Sequence, residues 1–274
     1  MTTLLFIGDI VGRPGRELVR RAIPVLVSHH QVDLVIANVE NAAAGFGVTP
    51  DIADDFISHG VQVMTGGNHT WDKKEIVPYF ADQPCLLRPA NMPAGTPGRG
   101  AFVARATNGV AVAVINAMGR VFMTAIDDPF RVVMDEIAAV QDRAKLIFVD
   151  FHAEATSEKV AMGWYLDGKV TAVVGTHTHV QTADERVLPQ GTAYITDVGM
   201  TGPHDSVIGV ERGAIIQRFL TGLPQRFETA TENPRLNGVI IKADETTGRA
   251  ISVERVNLSA KQIEALSSES AAVR

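Results

Sequence analysis

The stretch VVGTHTHVQTAD, residues 173–184, ends an apolar run with His177 and His179, which lie one residue apart. On an extended backbone, residues i and i+2 point to the same side at a rise of about 3.3 Å per residue, so the two imidazoles start roughly 6–7 Å apart. At that separation they can serve one metal ion or two neighbouring ions. Two solvated loop histidines are the alternative, because His is both a common surface residue and the commonest metal ligand. Residues elsewhere in the chain must decide between these interpretations.

Apolar runs of the same kind recur along the chain, each followed by a polar loop and often by a helical pattern. Runs of β-branched and aliphatic residues bounded by Gly or polar residues predict buried strands. They lie at residues 4–9, 32–40, 61–69, 110–118, 145–154, 170–179 and 193–201. We therefore predict one α/β domain over residues 1–274, built on two sheets, with residues 260–274 as a loosely ordered tail.

Capping and turn signals mark the ends of several elements between these strands. Thr49 and Asp128 each precede a proline and a helical pattern, which predicts two N-caps. Thr156 or Ser157 is the predicted cap of a third helix. Residues 237–259 predict an antiparallel hairpin that turns near residues 245–248.

The net charge and composition limit the classes of function. With 46% hydrophobic residues the chain can build a sizeable core, which excludes disorder as its main state. The formal net charge of −6 argues against duplex-DNA binding, since phosphate neutralisation needs clustered Lys and Arg. Small anions and short RNA ends stay open as ligands.

The cysteine content and the N-terminus predict the cellular compartment. Cys85 is the only cysteine, so an internal disulfide is excluded, as suits a reducing compartment. The N-terminal residues lack the basic region and apolar length of a signal peptide, and no stretch approaches the ~20 apolar residues of a membrane span. We predict a cytoplasmic protein that does not associate with membranes.

Polar side chains follow five of the predicted strands. In α/β sheets, chemistry takes place beyond the carboxyl ends of the strands. The residues found there are Asp9, Glu40, Asn41, Asn68, His69, His152, His177 and His179. Each has an ordinary explanation alone, such as a helix cap or a core histidine, but together they form a set of oxygen and nitrogen ligands without thiolate. Such a set suits Mn, Fe, Zn or Mg.

The number of candidate ligands indicates two metal ions. Seven donors exceed the needs of one four-coordinate structural zinc, but suit two ions about 3.5–4 Å apart that share a carboxylate, as in phosphatases and nucleases. Glu40 is the natural bridging residue. His69 directly follows Asn68, so its side chain points away from the metals yet stays beside them. It is a candidate general acid for the leaving oxygen, and a hydrogen bond to a metal ligand is the alternative.

Two further side chains have undecided roles in the sequence. Arg13 lies in a glycine-rich segment after the first strand, where it is either a contact for a substrate phosphate or a solvated charge. Glu154 either orients His152 or is exposed.

Two other functions compete with a metal-dependent hydrolase. The glycine-rich segment GDIVGRPG, residues 8–15, weakly matches the turn of a dinucleotide-binding oxidoreductase, but Asp9 would repel a pyrophosphate there. A regulatory protein that binds a nucleotide or RNA end through metals, with slow turnover, would use the same ligands. Turnover of a real substrate separates it from an enzyme.

Six motifs resemble those of the YmdB-like branch of the calcineurin-like metallophosphoesterases, and the resemblance spans roughly residues 4 to 258. They are GDIVGRPGR (8–16), ENAAAGFG (40–47), TGGNHTWD (65–72), FHAEATSEK (151–159), VVGTHTHVQTAD (173–184) and DVGMTGP (197–203). The resemblance implies an αββα sandwich of two mixed β-sheets flanked by helices. It also implies phosphodiester hydrolysis, notably of 2′,3′-cyclic nucleotides to 3′-nucleotides.

The resemblance also implies a role for each candidate residue. The metal ligands are then Asp9, Glu40, Asn41, Asn68, His152, His177 and His179. Of these, Asp9 and His179 hold the first ion, Asn68, His152 and His177 hold the second, and Glu40 bridges both. Metal-bound hydroxide attacks phosphorus and His69 protonates the leaving alkoxide.

Two positions depart from the wider superfamily. Val11 replaces a histidine and the bridging residue is Glu40 rather than Asp, so Asn41 compensates at the first ion. Fe or Mn is the expected metal, with Zn or Mg as alternatives. The expected substrates are small phosphodiesters, cyclic nucleotides or RNA ends, and a homo-oligomer is compatible with the sequence.

Overall fold

The computed structural model describes the backbone of residues 1–272 and the side chains of residues 1–268. The strands are β1 (Thr2–Ile7), β2 (Leu34–Asn38), β3 (Val63–Thr65), β4 (Ala101–Arg105), β5 (Ala111–Met118), β6 (Leu146–His152), β7 (Ala172–Thr176), β8 (Arg186–Val187), β9 (Ala193–Ile195), β10 (Gly202–Pro203), β11 (Pro234–Ala243) and β12 (Ala250–Ser259). The helices are α1 (Gly12–His30), α2 (Pro50–Ser58), α3 (Ile76–Asp82), α4 (Pro129–Val140), α5 (Thr156–Leu166), α6 (Arg212–Thr221) and α7 (Ala260–Ala272).

Within these residues the strands form two six-stranded sheets. In the first sheet, β1, β2 and β3 are parallel neighbours, β11 pairs antiparallel with β1, and β10 and β12 both pair with β11. The second sheet has the order β4-β5-β6-β7-β9-β8, parallel from β5 to β9 and antiparallel at both ends. Both sheets are therefore mixed.

The two sheets pack face to face, and helices cover their outer faces. Alternate residues of β1 divide between the layers: Leu4 and Phe6 pack against the second sheet, and Leu5 and Ile7 pack under helix α1. The rings of Phe6 and Phe148 meet between the sheets, with centroids 5.2 Å apart. Helices α4 and α5 cover the second sheet in the same way. This arrangement confirms the predicted αββα sandwich of two mixed sheets.

Most predicted elements are present, although the strands are shorter than their apolar runs. Thr49 accepts a hydrogen bond from the Ile52 amide and Asp128 accepts one from the Phe130 amide, so both predicted N-caps are confirmed. The C-terminal hairpin is confirmed as β11 and β12. The predicted cap of α5 is wrong: Ala155 is the N-cap, without a side-chain hydrogen bond.

The C-terminal segment is helical where the sequence predicts a loosely ordered tail. Helix α7 buries Ile263 against the core beside α1, because an apolar side chain with a tertiary partner stabilises even a weak helix. The predicted tail also includes residues 273–274, which lie outside the described residues. Among the helices described, none is long and apolar enough to cross a membrane. A single domain and a cytoplasmic location both stay predictions.

Candidate metal centre and adjoining cavity

The candidate residues lie on loops and strand ends where the two sheets meet. In the first sheet, Asp9 follows β1, Glu40 and Asn41 follow β2, and Asn68 and His69 follow β3. In the second sheet, His152 is the last residue of β6, and His177 and His179 follow β7. The parallel strands direct their carboxyl ends to one edge, so residues far apart in sequence come together.

The centre of the site is the Nε2 atom of His152, a buried residue. Nε2 lies 2.9 Å from Asn68 Oδ1, 3.0 Å from Glu40 Oε1 and 3.0 Å from His177 Nδ1. Potential ligand atoms of Glu40, His152 and His177 all lie within 4.8 Å of one another. These four side chains bring carboxylate, amide and imidazole atoms into direct contact at one point.

Two buried oxygen atoms beside this group have no hydrogen-bond partner in the described residues. Asp9 accepts the backbone N–H of His177 at 3.1 Å through Oδ2, but its Oδ1 accepts no hydrogen bond and lies 3.9 Å from Nδ1 of His152. Asn41 donates to Gly45 O at 3.0 Å through Nδ2, but its Oδ1 is unpaired as well. An unsatisfied buried acceptor costs about 1–3 kcal/mol, and a cation removes that cost. The residues present therefore fit divalent metal ions.

In the metal-free centre, burial and the charges of neighbouring side chains determine the protonation of Glu40, His152 and His177. Burial opposes protonation of His152, but the adjacent Glu40 carboxylate outweighs it and raises the pKa of His152 to about 9. Burial likewise opposes ionisation of Glu40, but the charge and hydrogen bond of His152 lower the pKa of Glu40 to about 2. Burial and then repulsion from His152 lower the pKa of His177 to about 3. Neutral His177 and ionised Glu40 are the forms that bind metals.

A buried hydrogen-bond chain holds the other side of the His152 ring. Its Nδ1 lies 2.9 Å from Thr176 Oγ1, and that hydroxyl donates to Asp150 Oδ1 at 2.7 Å. Asn38 donates to the second carboxylate oxygen of Asp150 at 3.2 Å. Sequence reasoning missed Asp150, although its position two residues before His152 on one strand places both side chains on the same face.

His69 lies beside the centre, with contacts on several sides. Its backbone N–H donates to Glu40 Oε2 at 3.0 Å, and its ring packs edge-on against Phe46 with centroids 5.0 Å apart. Its Nδ1 lies 2.8 Å from Asp72 Oδ2, which leaves Nε2 for a ligand. Asp72 was missed from the sequence, although its spacing three residues after His69 is a usable signal.

The two histidines of the 173–184 stretch are not an extended pair. Strand β7 ends at Thr176, and His177 and His179 have φ values of 101° and 66°, in the left-handed region. The expectation that strand geometry sets their separation is wrong, because the chain turns as it leaves the sheet. His177 points to His152, while His179 Nδ1 lies 2.9 Å from Ile208 O. The role of His179 as a metal ligand stays a prediction.

The structure also shows the contacts of Arg13 and Glu154, whose roles the sequence leaves undecided. Arg13 lies in the first turn of α1, exposed and paired with Glu17 at 2.6 Å, and it is not among the residues that line the cavity beside the centre. This position favours the solvated charge over the phosphate contact. Glu154 is partly exposed, and its Oε2 lies 3.1 Å from His177 Nε2, so it orients His177 rather than His152.

Gly67 allows the two sheets to approach at the centre. A Cβ atom there would collide with Glu40 Oε2 and with Cδ2 and Nε2 of His152. No alternative side chain fits without displacing the candidate ligands. Gly67, the second glycine of the TGGNHTWD motif, is therefore required because a side chain at this position would collide with Glu40 and His152.

A cavity of about 290 Å³ opens beside the centre. Glu40, Asn41, His69, His177 and His179 form its polar wall. The opposite wall comes from α6 and the loops around it, and it is largely apolar: Ile208, Val210, Ile215, Phe219 and Phe227. A ligand that reaches the candidate metal ligands therefore passes an apolar surface.

Comparison with known proteins agrees with this architecture. The chain matches the YmdB-like protein family over residues 5–256. It is 53% identical over 253 residues to the 2′,3′-cyclic-nucleotide 2′-phosphodiesterase of Bacillus subtilis (strain 168), covering 92% of this chain and 96% of that protein.

Two solved structures share the fold over nearly their whole length. A hypothetical protein from Thermus thermophilus superposes with a TM-score of 0.88 at 40% identity, covering 94% of this chain and 99% of that one. A novel phosphatase from Mycoplasma pneumoniae also has a TM-score of 0.88, at 35% identity, covering 96% of each chain.

Fold and site together define a metallophosphoesterase of the calcineurin-like type. The chain belongs to the YmdB-like family. This confirms the predicted family and enzyme class, and it rules out the alternative of a dinucleotide-binding oxidoreductase. The family implies divalent metal ions, and the group of Glu40, His152 and His177 is a place to hold one.

Proposed function

We propose that this enzyme hydrolyses 2′,3′-cyclic nucleotides to 3′-nucleotides at the site formed by the two sheets. The observation that carries the proposal is the convergence of Glu40, Asn68 and His177 on Nε2 of His152 within about hydrogen-bond distance. The name of the Bacillus subtilis relative supports the reaction. RNA ends that carry a 2′,3′-cyclic phosphate present the same reacting group.

Two divalent ions are the proposed cofactors. Asp9, His179 and Asn41 would hold one, Asn68, His152 and His177 would hold the other, and Glu40 would bridge them. Ions held in this way neutralise charge on the phosphate and activate water. The buried Oδ1 atoms of Asp9 and Asn41, which accept no hydrogen bond among the described residues, support this ligand set. Fe or Mn is the proposed metal, with Zn or Mg as alternatives.

His69 is the proposed general acid. Water adds to phosphorus, the bond from phosphorus to O2′ breaks, and His69 donates a proton to the departing O2′. Asp72 holds Nδ1 of His69 at 2.8 Å, so Nε2 is the nitrogen that faces the proton transfer.

The test is hydrolysis of 2′,3′-cyclic AMP by the purified protein with Mn²⁺, with products resolved as 2′-AMP or 3′-AMP. Release of 3′-AMP that EDTA abolishes supports the proposal. Release of 2′-AMP contradicts the assigned bond. If protein that carries two metals turns over neither the cyclic nucleotide nor an RNA with a cyclic phosphate end, the proposed reaction is wrong and a regulatory binding protein is favoured.

A further inference from the structure

The cavity wall opposite the metal centre has the composition of a stacking site. Two phenylalanines lie in it, Phe219 on α6 and Phe227 after it, and Phe46 lines the same cavity on the side of His69. The Arg218 guanidinium lies 5.2 Å from the Phe227 ring centroid and braces that ring. Among the described residues that line the cavity, none is Lys or Arg. The cavity therefore favours a flat, uncharged group next to a phosphate at the centre.

We propose that this cavity is a nucleobase subsite that binds by stacking rather than by reading base edges. The proposal rests on the proposed function, in which the phosphate lies at the metal centre. In a cyclic nucleotide the base is the flat apolar part that extends from the ribose. Nδ2 of Asn41, in the polar wall, donates a hydrogen bond to Gly45 O at 3.0 Å, and Glu228 and Thr229 are the polar lining residues next to the apolar wall. Base–aromatic stacking tolerates every base, and larger purine rings gain more from it than pyrimidines.

The exposure of Phe219 supports this assignment. Its side chain is 84% exposed although it lines the cavity, and none of the residues of α6 is buried. A base in the cavity would cover part of that ring and remove apolar surface from water. The helix thus presents an aromatic ring at the mouth of the site.

The test compares 2′,3′-cyclic AMP, 2′,3′-cyclic UMP and glycerol 1,2-cyclic phosphate, which has the reacting ring without a base. We expect the wild type to prefer cyclic AMP over the base-free substrate by about tenfold or more in kcat/KM, mainly through KM. Phe219→Ala should lower that preference by about tenfold, and Phe219→Trp should retain it. Phe122→Ala is the matched control, because Phe122 is 89% exposed and outside the cavity.

The outcomes separate this proposal from the proposed function. Equal losses on all three substrates in Phe219→Ala, or a wild type without preference for a base, would overturn the stacking subsite while the reaction stands. If the wild type with two bound metals hydrolyses none of the three substrates, the proposed function itself fails.

An independent observation concerns the backbone of the loop that carries His177 and His179. Lys159 Nζ lies 2.6 Å from Asp197 Oδ2, and each side chain is only 1% exposed. The same Oδ2 accepts the N–H of Thr178 at 3.1 Å and its hydroxyl at 2.7 Å. Asp197 Oδ1 accepts the N–H of Gly199 at 2.8 Å. One buried ion pair thus holds Thr178 from both its backbone and its side chain.

Thr178 lies between the two residues of left-handed backbone. His177 and His179 have positive φ, a conformation that costs a non-glycine residue about 1–3 kcal/mol and persists only where surrounding contacts impose it. The hydrogen bonds and the ion pair at Asp197 are such contacts. The Lys159 side chain comes from α5, at the end of the FHAEATSEK motif, and Asp197 follows β9, at the start of the DVGMTGP motif.

We infer that Lys159 and Asp197 are positioning residues that set the orientation of both histidines through Thr178. The hydroxyl of Thr178 completes the link, so removing it should loosen the loop without removing a candidate ligand. Outer hydrogen bonds of this kind change metal affinity by about 10–100-fold in metal sites.

The test measures Mn²⁺ affinity by calorimetry and Mn²⁺ coordination by electron paramagnetic resonance. Thr178→Val and Lys159→Met should weaken Mn²⁺ binding by about tenfold or more and alter the spectrum, while Thr178→Ser restores both. Lys261→Met, at an exposed position of α7, is the control. If folded Thr178→Val binds Mn²⁺ as the wild type does, with an unchanged spectrum, the inference is wrong. That outcome remains informative if Lys159→Met fails to fold.

Discussion

The Nε2 atom of His152 lies 3.0 Å from Oε1 of Glu40, and both side chains are buried. Glu40 follows β2 of the first sheet and His152 ends β6 of the second, so this contact joins the halves of the sandwich at the centre of the site. Without metal it is an ion pair, because the carboxylate keeps the imidazole protonated. In the proposed metal-bound form both atoms would be ligands, so we expect proton release to accompany metal binding.

The ion pair predicts a pH-dependent stability of the metal-free protein. His152 has its pKa raised to about 9, so its stabilisation is complete below its unfolded value of 6.5 and is lost as pH rises through 9. The pKa of Glu40 is lowered to about 2, so its contribution to stability is complete above its unfolded value of 4.5 and is lost as pH falls through about 2. Glu40→Gln should therefore destabilise the protein by roughly 3 kcal/mol at about pH 6 and by less at about pH 10. Urea unfolding in EDTA measures the free energy of unfolding of the wild type and of Glu40→Gln at each pH. Equal destabilisation at the two pH values would contradict an ion pair.

Removing the proposed general acid should reduce turnover without removing metal. His69→Ala should lower kcat on 2′,3′-cyclic AMP by roughly 10²–10⁴-fold while the number of bound Mn²⁺ ions stays the same. Asp72→Asn should reduce kcat less, because it weakens only the support of the ring. Steady-state kinetics with metal analysis checks both variants. Wild-type kcat in His69→Ala would show that its ring only packs beside the ligands.

Asp9 should govern metal occupancy. Asp9→Asn removes the charge that compensates one ion and should lower the number of Mn²⁺ ions bound after gel filtration, by elemental analysis. Asp142→Asn, at an exposed position outside the centre, serves as the comparison. Two ions per chain in the Asp9 variant would contradict its assignment as a ligand.

Gly67 should tolerate no side chain. Gly67→Ala places a Cβ against Glu40 and His152, so we expect loss of metal binding and destabilisation of about 1–3 kcal/mol, the usual cost of overpacking. Gly213→Ala is the matched control, since a Cβ there meets no atom within 4 Å and Ala is the better helix former. Thermal unfolding and Mn²⁺ titration measure the difference. Equal behaviour of the two variants would show that the sheets can separate at the centre.

Much of the fold could be predicted because its signals are local. The apolar runs locate the strands, and Thr49 and Asp128 mark helix starts through contacts only a few residues away. The sequence predicts only weak helicity at the C-terminus, because Ile263 of α7 is stabilised by a distant partner, α1, rather than by its own segment. Predicted strands were too long because their polar ends leave the sheet to form the site.

The amino-acid sequence by itself determines the two-sheet sandwich and the residue types at the strand ends. Strand periodicity and helix capping depend on neighbouring residues, so they can be recognised without the tertiary structure. The sequence also brings His69 within reach of Asp72, three residues away. The packing of the two sheets, by contrast, turns His177 toward His152 and His179 toward Ile208, and it joins Lys159 to Asp197 beneath them. Those contacts link separate elements, and their geometry depends on how the sheets meet, which no local pattern encodes.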